Sequence, residues 1–143
     1  VPSLPAAERF RAVSALMQDV EIVNSTFEKV MAMCSADDQV YCDPPYVPLT
    51  ATACFTGYCK EPFGLKEQHV LADLARQAAL KGARVVLSNH DLPIVRNDLY
   101  PINAGFRHLA KPRVARAISR KAATRKRVGE VIAAIGPRTV NAA

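Results

Sequence analysis

Asp43, Pro44, Pro45 and Tyr46 follow directly on the apolar run Val40-Tyr41-Cys42, and no other four residues of the chain are better placed to do chemistry. Pro44 and Pro45 lack a backbone N–H and hold φ near about −65°, so a strand ending at Cys42 cannot continue through them. The turn they make is stiff. At the carboxyl end of a parallel strand, where open α/β sheets bind their ligands, it would present an acceptor side chain, Asp43, beside a flat ring, Tyr46. That pair suits methyl transfer to an exocyclic amino group on a flat base. Such an amine is a poor nucleophile because its lone pair is delocalised into the ring. The Asp43 carboxylate and the Pro44 carbonyl could accept its two hydrogens and aim the lone pair at an electrophilic methyl group while Tyr46 stacks on the base. The help is orientation and fixed electrostatics rather than proton abstraction.

The elements around the turn can be read from the same sequence. Asp37-Asp38 makes a turn into a strand over Gln39 to Cys42. Val70, Leu71, Leu74, Ala75 and Ala78 recur at helical spacing and predict a helix from Leu65 to Lys81, closed by Gly82 as a left-handed cap. Arg84 to Ser88 reads as a parallel strand buried on both faces, reached by a right-handed crossover. Its continuation, Ser88-Asn89-His90-Asp91, should form a second wall of the pocket, with Ser88 and Asn89 as hydrogen-bonding candidates. His90 reads as a structural loop residue, and Asp91 as the cap of a short helix over Pro93 to Leu99. Ahead of the motif, Pro5 to Gln18 predicts an amphipathic helix whose stripe (Ala6, Phe10, Val13, Leu16, Met17) enters the core. Val20 to Val23 predicts a strand, and Ser25-Thr26-Phe27-Glu28 a capping box that opens a helix to Met33. After Tyr46 a long loop runs through Pro48, Thr50, Thr52, Gly57 and Pro62, anchored by Phe55, Tyr58 and Phe63. Phe106 to Lys111 predicts a strand put at an edge by Pro112, with Glu130 to Ile135 returning antiparallel to it.

Composition narrows the function. The chain has 143 residues, 50% of them hydrophobic, and a net charge of +6, the size of one small domain. No apolar run approaches the roughly 20 residues of a membrane span, and the opening residues lack the form of a secretory signal, so the sequence reads as soluble and, by default, cytoplasmic. The first residue is not methionine, which suggests a processed or truncated start. Cys34, Cys42, Cys54 and Cys59 have no paired Cys-x-x-Cys spacing, and His69, His90 and His108 lie far apart, so a metal has no support. The positive charge is concentrated late, in Lys111, Arg113, Arg116, Arg120, Lys121, Arg125, Lys126 and Arg127, with no acid between them. Such a run is ordinarily a solvated face; beside the Asp-Pro-Pro-Tyr turn it reads as phosphate contact.

Three blocks taken together resemble the Dam-type DNA adenine-N6 methyltransferase family. They are Asp43-Pro44-Pro45-Tyr46-Val47-Pro48-Leu49-Thr50-Ala51-Thr52-Ala53 with Phe55 and Tyr58; Leu87-Ser88-Asn89-His90-Asp91; and Ala117-Ile118-Ser119 with Thr124-Arg125-Lys126-Arg127-Val128. The resemblance implies methylation of adenine N6 in DNA with S-adenosylmethionine as donor. Asp43, Pro44, Pro45 and Tyr46 would be catalytic, and Thr50, Ser88, Asn89, Ser119, Arg120 and Arg125 DNA-binding. Ser25, Thr26, Phe27 and Asp43 would hold the cofactor, although the acidic residue of the family's turn is missing there, and capping plus core packing accounts for the first three equally well. Ala122-Ala123 replaces a family glycine.

The implied fold is α/β, a Rossmann-like methyltransferase sheet of strand order 3-2-1-4-5-7-6. This chain would supply strands three to seven, lack the first two, and end in an antiparallel hairpin. Residues 1–143 would be the C-terminal part of one catalytic domain, without the glycine-rich cofactor segment and the target-recognition segment, and by themselves would neither bind cofactor well nor methylate. A non-catalytic basic nucleic-acid-binding remnant, or a methyltransferase acting on amino groups of RNA or protein, stands as the alternative. DNA is the expected partner, with no membrane and no metal; the oligomeric state is open.

Overall fold

A computed structural model describes residues 5–49, 63–115 and 127–137. Thr50, Thr52, Phe55, Tyr58, Ser119, Arg120 and Arg125, with most of the basic run, lie outside the described residues.

One mixed sheet organises the chain. Strands β1 (Gln39–Cys42) and β2 (Arg84–His90) pair in parallel, with Val40 opposite Val85 and Cys42 opposite Leu87. Between them runs helix α3 (Leu65–Leu80). Strand β5 (Arg127–Ile135) lies antiparallel to β2 and also to β3 (Arg107–Ala110), which gives the order β1-β2-β5-β3. Parallel and antiparallel pairing in one sheet agrees with the implied α/β fold class. Pro112 ends β3 as anticipated, and its carbonyl accepts from Glu130 N at 2.9 Å. Beyond it β4 (Arg113–Ala115) pairs with the start of β5. Because β5 pairs along β2 as far as Glu130 opposite His90, β2 runs two residues past the predicted Ser88.

The core forms where α3 meets the sheet. Leu71, Ala72, Ala75 and Ala78 of α3 are buried with Val85 and Leu87 of β2 and Val131 and Ala133 of β5. A fully buried Leu or Val contributes about 1.5–3 kcal/mol, so this layer is the main source of stability. Val86 is only half-buried, so the second face of β2 is less covered than its apolar run implied. Gly82 has φ +100°, as a left-handed cap requires, and Ala83 N closes the helix end on the Ala78 carbonyl at 3.1 Å.

The amino-terminal part corrects the sequence expectations. Helix α1 (Ala7–Leu16) forms, but none of its residues is buried, and Phe10, Val13, Leu16 and Met17 stand exposed. No strand forms at Val20 to Val23, where Ile22 is 78% exposed; an isolated extended segment has no neighbour to take its ladder hydrogen bonds. Helix α2 (Phe27–Met33) starts two residues after Ser25, with Thr26 as N-cap and no side-chain cap. The third helical residue is therefore Lys29 and not Glu28, and no capping box can close. After β2 the backbone makes a wide π-type turn, Val95–Leu99, closed by Tyr100 N on the Val95 carbonyl at 2.8 Å. Asp91 does not cap it; its carboxylate pairs with Arg96.

Gly136, at φ +100°, ends β5 so close to β2 that a Cβ there would lie 2.1 Å from the Ala83 carbonyl oxygen. Gly136→Ala should therefore cost at least the roughly 1–3 kcal/mol of a left-handed residue, seen as a lower urea midpoint. Gly129→Ala, where the nearest contact is Asp91 Cβ at 3.2 Å, should change the midpoint much less.

Candidate active site

The Asp43 turn is held by a buried polar cluster. Asn89, at the end of β2, is fully buried; its Oδ1 accepts from Val47 N and from His90 N, both at 2.9 Å, and its Nδ2 donates to Gln68 Oε1 at 3.1 Å and to the Tyr100 hydroxyl at 3.4 Å. His90 lies 2.7 Å through Nδ1 from the Val47 carbonyl. A carbonyl only accepts, so Nδ1 carries the proton and donates. Both backbone polar groups of Val47 are thus fastened to β2. Gln68, fully buried on α3, donates from Nε2 to the Pro45 carbonyl at 2.6 Å. The turn that two prolines stiffen from within is clamped from outside by two elements of the core.

Asp43 itself is exposed, and one of its oxygens is fixed. The Ser88 hydroxyl, 1% exposed, donates to Asp43 Oδ1 at 2.7 Å and accepts from the Tyr41 hydroxyl at 3.2 Å. A hydroxyl has one proton to give, and the carboxylate is its stronger partner. An ionised carboxylate offers about four acceptor positions, so most of its capacity remains for a ligand. Among the described residues Asp43 has no cationic partner. Tyr46 is half-buried, and its ring stands across that of His90, centroids 5.0 Å apart at 80°. Burial, first, pushes its hydroxyl up to about 12; the charges of Asp43 and Glu130 add to this and the Ser88 hydrogen bond opposes it.

On the other side of the turn lies a cleft of about 380 Å³, whose walls include Ser25, Phe27, Met31, Asp43, Pro45 and Leu71. Phe27 meets Phe63 edge to face at 5.5 Å. A mostly apolar cleft with a few convergent polar groups is the usual form of a small-molecule site. The structure therefore brings Ser25, Phe27 and Asp43 together in one cleft, while Thr26 caps α2 outside it and Tyr46 is not among its walls. Ser88 and Asn89 do not face outward as expected of DNA contacts: both are buried, one committed to Asp43 and the other to the Val47 clamp. Tyr41 and Gln68 went unnoticed in the sequence. Gln68 carried a signal, a polar residue on the apolar stripe of α3 with Leu71, Ala72 and Ala75.

The sequence pattern of the D12 class N6 adenine-specific DNA methyltransferase family matches residues 5–121. The chain belongs to that family. It is 40% identical over 114 residues to the DNA adenine methylase of Escherichia coli (strain K12), covering 78% of this chain and 39% of that protein. It is 39% identical over 113 residues to the DNA adenine methylase of Haemophilus influenzae, covering 78% and 38%, and 35% identical over 136 residues to that of Salmonella typhi, covering 95% and 47%. The chain thus spans less than half the length of these relatives. The family implies a methyl donor. Among the described residues no group of histidines, cysteines and carboxylates could hold a metal ion, and no helix is long and apolar enough to cross a membrane.

Asn89→Ala would leave the buried Val47 N–H without its Asn89 acceptor, an expected loss of about 1–3 kcal/mol, measured by urea unfolding, with faster hydrogen exchange at Val47 N–H. Tyr46 and Tyr100 are both pushed up to about 12, in each case mainly by burial. The native state therefore keeps two phenol protons that the unfolded chain releases near pH 10. The stability they confer is complete below about pH 10 and is lost as pH rises toward 12. A spectrophotometric titration should show two tyrosines ionising late, in step with unfolding.

Proposed function

We propose that the protein carrying this chain transfers a methyl group to the N6 amino group of adenine in DNA. The observation that supports this most directly is the Asp43 carboxylate, oriented by Ser88 at the open end of β1, between an apolar cleft and the ring of Tyr46. Asp43 and the Pro44 carbonyl accept the two amino hydrogens and turn the nitrogen lone pair toward the donor; the proton leaves afterwards to water. Ser88, backed by Tyr41, holds the carboxylate in one orientation, so little reorganisation remains at the moment of transfer. Tyr46, braced against His90, stacks on the base, which must leave the duplex to reach the turn.

The donor is S-adenosylmethionine, which when bound supplies an electrophilic methyl on a sulfonium. The apolar wall of Phe27 and Met31 suits its adenine ring, and Ser25 and Asp43 its polar groups. Residues 1–143 form the C-terminal part of a single catalytic domain. The glycine-rich floor of the cofactor site, the target-recognition segment and the first two strands of the sheet belong to the portion of the relatives' length that this chain does not span. Alone, the chain methylates poorly or not at all. Exposed Lys111, Arg113 and Arg127 of the basic stretch support a second reading, a nucleic-acid-binding remnant without catalysis, which tight binding of S-adenosylmethionine by this chain in calorimetry would rule out.

In the protein as the cell makes it, Asp43→Ala should reduce N6-methyladenine formation on adenine-containing duplexes by at least about 100-fold while duplex binding persists. Ser88→Ala should lower kcat by about 10-fold or more with little change in KM, as expected when a carboxylate keeps its charge but loses its orientation. Undiminished activity of Asp43→Ala would end the assignment.

A further inference from the structure

A second cavity, of about 480 Å³, lies between the turn after β2 and strand β3, lined in part by Arg96, Asn97, Asn103, His108 and Lys111. None of these residues belongs to the Asp43 site. Their chemistry is that of an anion site: three nitrogen bases and two carboxamides, with no acid among the lining residues. Asp91 already engages Arg96, so the guanidinium is held in place and largely balanced. Lys111 is exposed and makes no ion pair among the described residues; it supplies the unbalanced charge. His108 donates from Nε2 to the Tyr100 carbonyl at 2.9 Å, which fixes its ring and leaves Nδ1 as its second functional atom.

The sheet places this cavity on the edge that bears the reactive turn. Strands β1 and β2 are parallel, and β3 is antiparallel to β5, which is antiparallel to β2. The carboxyl ends of β1, β2 and β3 therefore lie along one edge, with Asp43 at one end and Lys111 at the other. Three strand spacings separate them, roughly 14 Å at about 4.8 Å each, or about four base steps at 3.4 Å per nucleotide. Exposed Arg113 and Arg127 on β4 and β5 extend the positive charge beyond Lys111.

We infer that this cavity binds a backbone phosphate of the DNA a few nucleotides from the adenine that enters the Asp43 site. The inference rests on the proposed function for the identity of the nucleic acid, and on the second cavity for everything else. Contact with a phosphate positions the duplex without reading its sequence, so the cavity fixes where along the strand the adenine is presented.

The test measures duplex binding by anisotropy over a range of salt for the protein as the cell makes it, for Lys111→Ala and for Lys111→Arg, with methylation by the unaltered protein assayed in parallel. Loss of one phosphate contact should lower the slope of log K against log salt by about 1 and weaken binding several-fold on target and non-target duplexes alike, and Lys111→Arg should restore most of both. The His108 ring resonances should shift on adding duplex far more than on adding inorganic phosphate. Unchanged slope and affinity in Lys111→Ala overturn the inference. So does a His108 shift that saturates with inorganic phosphate and is indifferent to duplex, which would make the cavity a site for a free anion. If the unaltered protein binds duplex without methylating it, the proposed function fails, and the slopes still decide the cavity.

Discussion

Everything at the candidate site depends on the Val47 backbone being tied to β2. Asn89 takes its N–H and His90 holds its carbonyl, so the residues between β1 and Val47 must make their turn within a fixed span. Two prolines within that span leave little conformational freedom. The clamp is buried and polar, an arrangement that costs free energy unless every partner is present. Here Asn89 meets its demands with Val47, His90, Gln68 and Tyr100, and Gln68 in turn fixes Pro45. The Asp43 carboxylate can therefore stand in solvent on a loop and still have a defined orientation.

The polar groups at the end of β2 divide the labour. Ser88 points its hydroxyl to Asp43, Asn89 to the backbone beyond Tyr46, and His90 to both Val47 and the Tyr46 ring. Three consecutive residues thus orient the Asp43 carboxylate, the loop and the Tyr46 ring. This is possible because β2 is paired with β1 as far as Leu87 and with β5 out to His90, its last residue, which makes its carboxyl end a rigid mount rather than a fraying terminus.

Much of this was readable from residue types. The abrupt change from Val40-Tyr41-Cys42 to two prolines located the end of β1, Gly82 located the end of α3, and Pro112 separated β3 from β4. Those signals are local: each is a backbone constraint carried by one residue. What could not be read were facts about partners. Among the described residues, the Val20 to Val23 segment has strand composition but no neighbouring strand, and α1 has a helical apolar stripe but no surface to bury it on. Ser88 and Asn89 are polar residues in a pocket sequence, and only the packing shows that they serve the turn from behind. Gln68 is legal anywhere on a helix surface; that it faces inward follows from the phase of α3 relative to β1 and β2.

The position of β5 has a consequence for biosynthesis. The strand made last of those described occupies the middle of the sheet, between β2 and β3. As the polypeptide emerges from the ribosome, β2 and β3 are complete while the slot between them is still empty, and each exposes an unsatisfied edge until residues 127–135 arrive. Such a topology is rich in contacts distant in sequence, which slows folding and lengthens the interval during which nascent edges can meet those of another chain. Chaperone capture during synthesis would shield that interval, and a stop codon shortly before Arg127 would leave the gap permanent.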